Sequence, residues 1–340
     1  MTPLPIEIVG GGLAGLSLGI ALRRAGVPVT IHEAGDYPRH RVCGEFITGL
    51  GPDTIEELGL APVLQGALRH EEVAWCVGGS RVRVQRLPRP ALGLSRYTLD
   101  ARLAATFVGA GGKLATHARV TDASNEPGRI FATGRRRATE TRWLGLKLHA
   151  RGLPLTRDLE MHLGEHSYVG LSRIEDGAVN VCGLFRRRAV AGRGPELLLG
   201  YLRAAGLAAL AHRLAGAQVD PASFCAVAAL AFDRRVNVSS RICLGDAGAA
   251  IPPFTGNGMA MAFQSAQLAL SPLLEYAHRR AGWPAACKTT NAALRDHFRL
   301  RLASANALHP FLLRPRRQRW FAALSQARLL PFRALYASLH

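Results

Sequence analysis

The segment Ile6-Glu7-Ile8-Val9-Gly10-Gly11-Gly12-Leu13-Ala14-Gly15 constrains the fold of this 340-residue chain more than any other. Ile6, Ile8 and Val9 form a short apolar run that stops at glycine, as a buried parallel strand does. Gly10 permits the tight turn out of the strand. Gly12 lets backbone approach a pyrophosphate with no Cβ in the way, and Gly15 lets the next helix pack closely on the sheet. That helix presents Leu16, Leu18, Ile20, Ala21 and Leu22 and stops at Gly26. Its N-terminus offers free N–H groups and a partial positive charge to phosphate. Val27, Val29 and Ile31 alternate as a second strand that ends at Glu33. A carboxylate there accepts both ribose hydroxyls of an adenosine and repels a 2′-phosphate, which points to FAD or NAD and away from NADP.

A second glycine-bearing segment lies late in the chain. Arg241 to Leu244 reads as a strand ending in Gly245-Asp246, whose carboxylate can accept from a sugar or ribityl hydroxyl. Pro252 and Pro253 stiffen the loop, and Gly256-Asn257-Gly258 opens a long helix from Met259 to about Leu274. A helix N-terminus placed there stabilises negative charge on a reduced flavin ring. The blander alternative is a Gly/Pro loop ahead of an ordinary helix.

On these residues the chain resembles the FAD-dependent family of aromatic hydroxylases and geranylgeranyl reductases, which share the fold of para-hydroxybenzoate hydroxylase. Two more stretches carry the likeness. Pro38-Arg39-His40-Arg41-Val42-Cys43-Gly44-Glu45 is similar to the Pro-Arg-x-Lys-x-Cys-Gly stretch of the reductase branch, and Leu94-Ser95-Arg96-Tyr97-Thr98-Leu99-Asp100 to the Arg-x-x-Leu/Phe-Asp segment. The resemblance spans most of residues 1 to 280 and implies bound FAD. It makes Gly10, Gly12, Leu13, Ala14, Gly15, Glu33 and Ala34 cofactor-binding, with Glu33 holding the adenosine ribose. Arg41 and Arg96 would lie near the pyrophosphate or ribityl chain, as would Gly245 and Asp246; Val120 and Gly134 would add contacts. Cys43, Gly44, Pro253, Gly256, Asn257 and Gly258 would surround the isoalloxazine, and Met259 would also bind the cofactor. Glu45 becomes an acid or base beside the ring, with a surface carboxylate as the alternative. Solvated surface arginines are the alternative for Arg41 and Arg96.

The activity so implied is that of a monooxygenase: reduced FAD takes up oxygen at flavin C4a, and the hydroperoxide passes OH to an aromatic or polyketide-like small molecule. One alternative is a flavin reductase or dehydrogenase of isoprenoid or lipid-like C–C double bonds, which the Arg41-to-Gly44 stretch favours. Another is a flavin-binding partner without turnover. NAD(P)H is the expected transient reductant, with a reservation. Where many hydroxylases carry Ala-Asp-Gly, this chain has Ala132-Thr133-Gly134, and the carboxylate is gone. The absence of a Trp-x-Trp-x-Ile-Pro segment argues against halogenation, and that of a Gly-x-Ser-x-Gly elbow against a hydrolase.

Between the nucleotide segments the pattern turns to strands. Val73–Val77 and Arg81–Val84 flank Gly78-Gly79; residues 159–163, 168–174 and 179–184 follow as an antiparallel set. The expected architecture is α/β. A Rossmann-like FAD-binding domain with a mainly parallel sheet takes residues 1–72, 93–142 and 239–282. An inserted antiparallel substrate sheet takes 73–92 and 143–238, and C-terminal helices take 283–340. Met161, Tyr168, Leu171 and Cys182 are candidate pocket residues, with core packing as the other reading. His162 and His166 have metal-ligand spacing only on a helix. On two strands joined at Gly164 they are expected, with Glu160 and Glu165, to be solvated polar positions, and no metal is expected.

The net charge of +19 and isoelectric point near 11.0 favour anionic partners. Of 43 basic residues only Lys113, Lys147 and Lys288 are lysine. Aromatics make up 6% of the chain and no basic-aromatic reader motif is present, which weighs against nucleic acid. The small molecule bound is expected to be apolar or aromatic. Six cysteines without a Cys-x-x-Cys pair suit a reducing cytoplasm. No signal peptide is expected ahead of the first strand, and no apolar stretch reaches the ~18 residues of a spanning helix. Phe311 to Phe321 is basic and apolar together: a last helix docking on the core, or one lying on an anionic membrane.

Overall fold

The computed structural model describes residues 2–121, 124–135, 142–228, 230 and 240–340. The first part runs β1 (Ile6–Val9), α1 (Leu13–Arg24), β2 (Val29–His32), β3 (Phe46–Ile47) and α2 (Pro52–Glu57), then β4 (Leu68–Val77) and β5 (Ser80–Gly93). Next come α3 (Arg96–Gly109), β6 (Lys113–Ala115), β7 (Arg129–Phe131), β8 (Trp143–Arg151), β9 (Leu159–Gly164), β10 (Ser167–Arg173) and β11 (Ala178–Arg186). The chain continues through α4 (Pro195–Ala204), α5 (Ala208–Ala215), β12 (Gln218–Ala228), β13 (Ile242–Cys243) and α6 (Gly258–Ala277). It closes with α7 (Trp283–Leu313), α8 (Pro315–Gln326) and α9 (Phe332–Leu339).

Five strands in the order β13-β7-β1-β2-β6 pair in parallel, so the sheet collects strands from both ends of the chain. Its apolar residues pack with α1, α3 and α6 into one core that includes Ile8, Leu16, Leu22, Ile31, Phe107, Ile130, Ile242 and Phe263. Burying each such side chain contributes roughly 1.5–3 kcal/mol. Gly19 lets α1 approach the sheet closely: a Cβ there would lie 2.8 Å from both Ile31 and Phe107.

The second sheet has eight strands in the order β12-β8-β11-β10-β9-β4-β5-β3 and is antiparallel except for the parallel β4–β9 pair. One face carries Leu146, Leu148, Val169, Leu171, Val181 and Phe185 and is covered by α4 and α5. The other carries Met161, Leu163, Tyr168 and Leu184 and meets Ile251, Phe254 and the C-terminal helices. Leu171 therefore belongs to the face covered by α4 and α5, opposite Met161 and Tyr168. Cys182 pairs with Gly170 and Lys147, which puts it on the Met161 side.

The structure departs from the sequence reading in four places. The second sheet begins earlier than Val73, because β4 starts at Leu68 and β3 joins β5 through Phe46 and Ile47. Much of β5 is exposed and carries Arg81, Arg83, Arg86 and Arg89 with two prolines, so its outer half has no apolar alternation to read. Helix α6 extends past Leu274 to Ala277 despite Pro272 in its interior. Glu160 and His162 are not solvated: they are 2% and 4% exposed. Glu160 Oε2 takes His162 Nε2 at 2.8 Å and Arg213 Nη2 at 2.9 Å, while Thr156 donates to Oε1. Among the described residues no His/Cys/Asp/Glu group has metal-site geometry.

The C-terminal helices dock on the core through Phe298, Leu302, Ala305, Leu312 and Leu313, and Gln318 donates to the Gly164 carbonyl at 2.8 Å.

Candidate active site

The glycines of the two nucleotide segments divide by what surrounds them. Gly10 has φ +113° and a Cβ there would lie 2.3 Å from the Ala132 carbonyl; at Gly15 it would lie 2.0 Å from that of Gly10. Those two serve the fold. Gly12 caps α1, Gly258 opens α6, and neither has a heavy atom within 4 Å of a Cβ position. Both therefore leave room beside a helix N-terminus, where N–H groups face outward. Leu13, Ala14 and Met259 have buried side chains, so only their backbone can meet a ligand.

Glu33 ends β2 at 5% exposure. Its Oε2 accepts from Gly11 N at 2.8 Å, and its Oε1 from Gly35 N at 2.9 Å and Arg39 Nη2 at 2.5 Å. Burial alone would raise its pKa. The Gly35 and Gly11 N–H bonds and the charges of Arg39 and Arg41 outweigh burial and hold it below the usual carboxylate range. A carboxylate offers about four lone-pair sites, so a ribose hydroxyl either takes the fourth or displaces Arg39. Tyr37 also packs here, its hydroxyl donating to the Gly11 carbonyl. Ala34 is exposed and Val120 half-buried in the loop after β6, which the Ala118 N–H bond to Glu33 O draws close.

Arg41 and Arg96 are not solvated arginines. Both grip the fully buried Asp100: Arg41 Nε at 3.0 Å, and Arg96 Nε and Nη2 each at 2.7 Å. Arg41 Nη2 is buried and has no hydrogen-bond partner. Thr133 is exposed, and at half-buried Gly134, with φ +74°, a Cβ would meet no heavy atom within 4 Å among the described residues. Arg135 Nε reaches Asp246 Oδ2 at 2.9 Å and ties the end of β7 to the turn after β13. The open glycines and the unsatisfied Arg41 donor fit a flavin dinucleotide.

Cys43, Gly44 and Glu45 lie directly on the second sheet. Ser172, Asn180 and His149 occupy one row across β10, β11 and β8. Ser172 Oγ donates to Gly44 O at 2.8 Å, Asn180 Nδ2 to Cys43 O at 3.0 Å, and His149 Nε2 lies 2.6 Å from Glu45 Oε2. The next row brings Lys147, whose Nζ lies 3.3 Å from Glu45 Oε1 and 3.1 Å from His40 Nδ1. Glu45 and Lys147 are fully buried, and Glu45 sits at φ +56°. Glu45 Oε1 also accepts from Arg96 N at 3.0 Å. His40 stacks on the exposed Tyr97 at 4.5 Å, which leads the polar chain to the surface. Burial and then the nearby Lys147 charge lower the His40 pKa, and burial raises that of the Cys43 thiol.

Lys147, His149 and His40 are not among the site residues that the sequence motifs single out. The signal was there: in Leu144-Gly145-Leu146-Lys147-Leu148-His149-Ala150 the polar groups alternate with leucines, so they share one face.

Beyond the polar rows the same sheet face becomes apolar. Tyr168 lies edge-on to Phe254 at 6.2 Å, and Phe254 stacks on His309 of α7 at 6.0 Å. Burial pushes His309 down to about 4, so it is neutral near pH 7. Tyr168 hydroxyl and His309 Nε2 are 3.4 Å apart. Pro253 and Gly256 flank Phe254 in the loop before α6. The Asn257 side chain turns away from that loop: Oδ1 accepts from Thr48 Oγ1 at 3.0 Å and Nδ2 donates to Leu339 O at 2.6 Å.

Residues 8–55 match the NAD(P)-binding Rossmann-like domain. Menaquinone reductase of Mycolicibacterium smegmatis is 26% identical over 136 residues, 38% of this chain and 33% of that protein. The chain thus matches about a third of that relative's length. HpxO of Klebsiella pneumoniae, solved with FAD and uric acid, superposes at TM-score 0.78 with 16% identity, over 99% of this chain and 96% of its own. P. aeruginosa PqsL in complex with 2-aminobenzoylacetate gives TM-score 0.72 and 16% identity over 94% and 99%. The flavin-dependent brominase Bmp2 gives 0.77 and 18% over 98% and 92%. The chain has the fold of these flavin-dependent enzymes: a parallel nucleotide-type sheet, a curled mixed sheet and a helical C-terminus.

Proposed function

We propose that this protein is an FAD-dependent oxidoreductase that hydroxylates an aromatic or polyketide-like small molecule. The observation that carries this reading is the Cys43-to-Glu45 loop, seated where a buried polar row adjoins an aromatic wall on one sheet face. Gly12 and the α1 N-terminus would hold the FAD pyrophosphate, Glu33 the ribose, Arg41 and Asp246 the ribityl region, and Gly258 with the α6 N-terminus the ring. Bound FAD, once reduced, supplies oxygen activation that side chains cannot provide. The chain's own residues do the rest. Met161, Tyr168, Leu184 and Phe254 bury the substrate ring and exclude water. Glu45 with His149 and Lys147 takes the proton of an acidic substrate hydroxyl, and His40 links that group to the surface.

The proposed domain division follows the sheets: the parallel sheet holds nucleotide and the mixed sheet holds substrate. PqsL and HpxO, whose structures contain 2-aminobenzoylacetate and uric acid, support a small, unsaturated substrate for this chain as well. The test is turnover of FAD-loaded protein with a panel of phenols and aromatic ketones under isotopically labelled oxygen. Label in the product is expected. Flavin binding without labelled product from any ring would sink the hydroxylase reading.

A second reading has its own support. The apolar wall also suits a carbon chain, and the relative matched over a third of its length is a menaquinone reductase. Reoxidation of the reduced protein by a quinone or a polyunsaturated isoprenoid without oxygen would favour it.

A further inference from the structure

We propose that helix α8 and the turn after it form a docking surface for an anionic lipid bilayer. The surface is independent of the flavin reading. No Asp or Glu occurs among residues 297–340, whereas Arg314, Arg316, Arg317, Arg319 and Arg328 fall within a few helical turns of one another. Large apolar side chains are exposed on the same stretch: Trp320 and Leu329 at 70%, Phe311 at 47% and Leu324 at 37%. A soluble surface rarely presents a tryptophan and leucines this openly beside one another.

The orientation follows from the helix period. Gln318 and Ser325 are buried and face the core, with Gln318 held by the Gly164 and Leu312 carbonyls. Trp320 and Leu324, four residues apart, lie on the opposite side, with Arg316 one turn before Trp320, Ala323 between the two and Arg319 flanking them, all exposed. Arg317 stacks over the Phe311 ring at 4.6 Å. Arginine heads at headgroup depth with tryptophan and leucine below them are the arrangement an interfacial helix needs. Charge complementarity selects an anionic bilayer, since a phosphate-rich surface balances the unrelieved arginines. Nucleic acid would satisfy the arginines but gives Leu324 and Leu329 no apolar phase.

The helix has a second side. Phe321, next to Trp320, packs against Trp75 at 5.2 Å, and Trp75 pairs with Met161 on the face proposed to bind substrate. If that reading holds, membrane and substrate wall are separated by one helix, and an apolar substrate has a short path from lipid to site.

The test uses the full-length protein and sedimentation with vesicles of equal parts phosphatidylglycerol and phosphatidylcholine, beside vesicles of phosphatidylcholine alone. Binding to the anionic vesicles, loss in high salt and a blue shift of tryptophan emission are expected. R316E/R319E should weaken binding about tenfold or more, and W320S/L324S should abolish the emission shift, while both variants keep wild-type melting curves and flavin content. Equal partition into both vesicle types, no binding, or unchanged binding by the folded variants would overturn the proposal. So would a preference for duplex DNA or RNA over vesicles. Failure of the flavin reading alone would leave vesicle binding intact.

Discussion

Glu45 Oε2 and His149 Nε2 stand 2.6 Å apart, one on the loop after β2 and the other on the inner face of β8. Together with Lys147 they pin the loop after β2 to the second sheet. Glu45 and Lys147 have no exposure, so neither charge can borrow stabilisation from water. Removing one partner strands the other. Glu45→Gln is expected to cost about 3–5 kcal/mol of stability, the usual penalty for an orphaned buried charge. Adding Lys147→Met should return most of the loss while leaving turnover abolished. Urea unfolding of the three proteins checks this; a Glu45→Gln midpoint equal to wild type would show that the pair is not coupled.

Gly10 and Gly12 should separate fold from ligand. Gly10→Ala forces a Cβ into the Ala132 carbonyl at a φ that suits only glycine, and the protein should fail to fold or melt far earlier. Gly12→Ala meets nothing within 4 Å among the described residues and should cost no more than about 1 kcal/mol, the helix-cap difference. Its effect belongs to the dinucleotide: FAD affinity should fall at least about tenfold. Apo-protein melting and a flavin fluorescence titration give the two numbers. A Gly12→Ala protein that binds FAD like wild type would remove the pyrophosphate from this turn.

The nucleotide half of the fold was legible because its signals are local. Strand, turn, helix and acid follow one another within Ile6 to Glu33, and each rests on a steric or dipole rule. The site was legible only in part, because its polar centre is assembled across the sheets. Glu45 was singled out from its neighbours Cys43 and Gly44, but nothing near it in sequence names His149 or Lys147. Register supplies them, and register depends on pairing between distant strands. Glu160 and His162 misled for the same reason: beside Gly164 they look like a turn, and Arg213 on α5 makes them buried. The outer half of β5 was hidden by its own arginines.

Thr133 tests where the electrons come from. It is exposed just past β7, and a Cβ at Gly134 beside it would meet nothing within 4 Å among the described residues, which leaves room for an acidic side chain. The resembling hydroxylases carry aspartate there, serving FAD and NADPH together. Wild-type protein should therefore be reduced slowly by NADPH and NADH and readily by a supply of reduced flavin. Thr133→Asp should accelerate reduction by a nicotinamide severalfold, with FAD affinity changed little. Stopped-flow reduction under anaerobic conditions reads the difference. Equal rates in the two proteins would leave Thr133 with no part in choosing the reductant.

Acid stability should draw on buried carboxylates both away from the flavin and beside it. Burial pushes Glu160 upward, but bonds from His162, Thr156 N and Arg213 bring it down to about 2, against 4.5 unperturbed. A carboxylate depressed in the folded state stabilises fully above its unfolded pKa and loses that contribution as pH falls through the folded one. The window is thus pH 4.5 down to about 2, and the shift corresponds to at most about 3.5 kcal/mol at neutral pH. Glu33 is depressed in the same direction and adds to the slope. Glu160→Gln should lower stability at pH 7 and flatten its fall below pH 4.5. Because Glu160 lies on the sheet face away from the proposed substrate wall, FAD affinity should stay at the wild-type value, whereas Glu33→Gln should lose both. Urea midpoints between about pH 7 and pH 3, with a flavin titration at each end, distinguish the two carboxylates. A Glu160→Gln curve parallel to wild type through that range would show that the His162–Arg213 network holds no depressed acid.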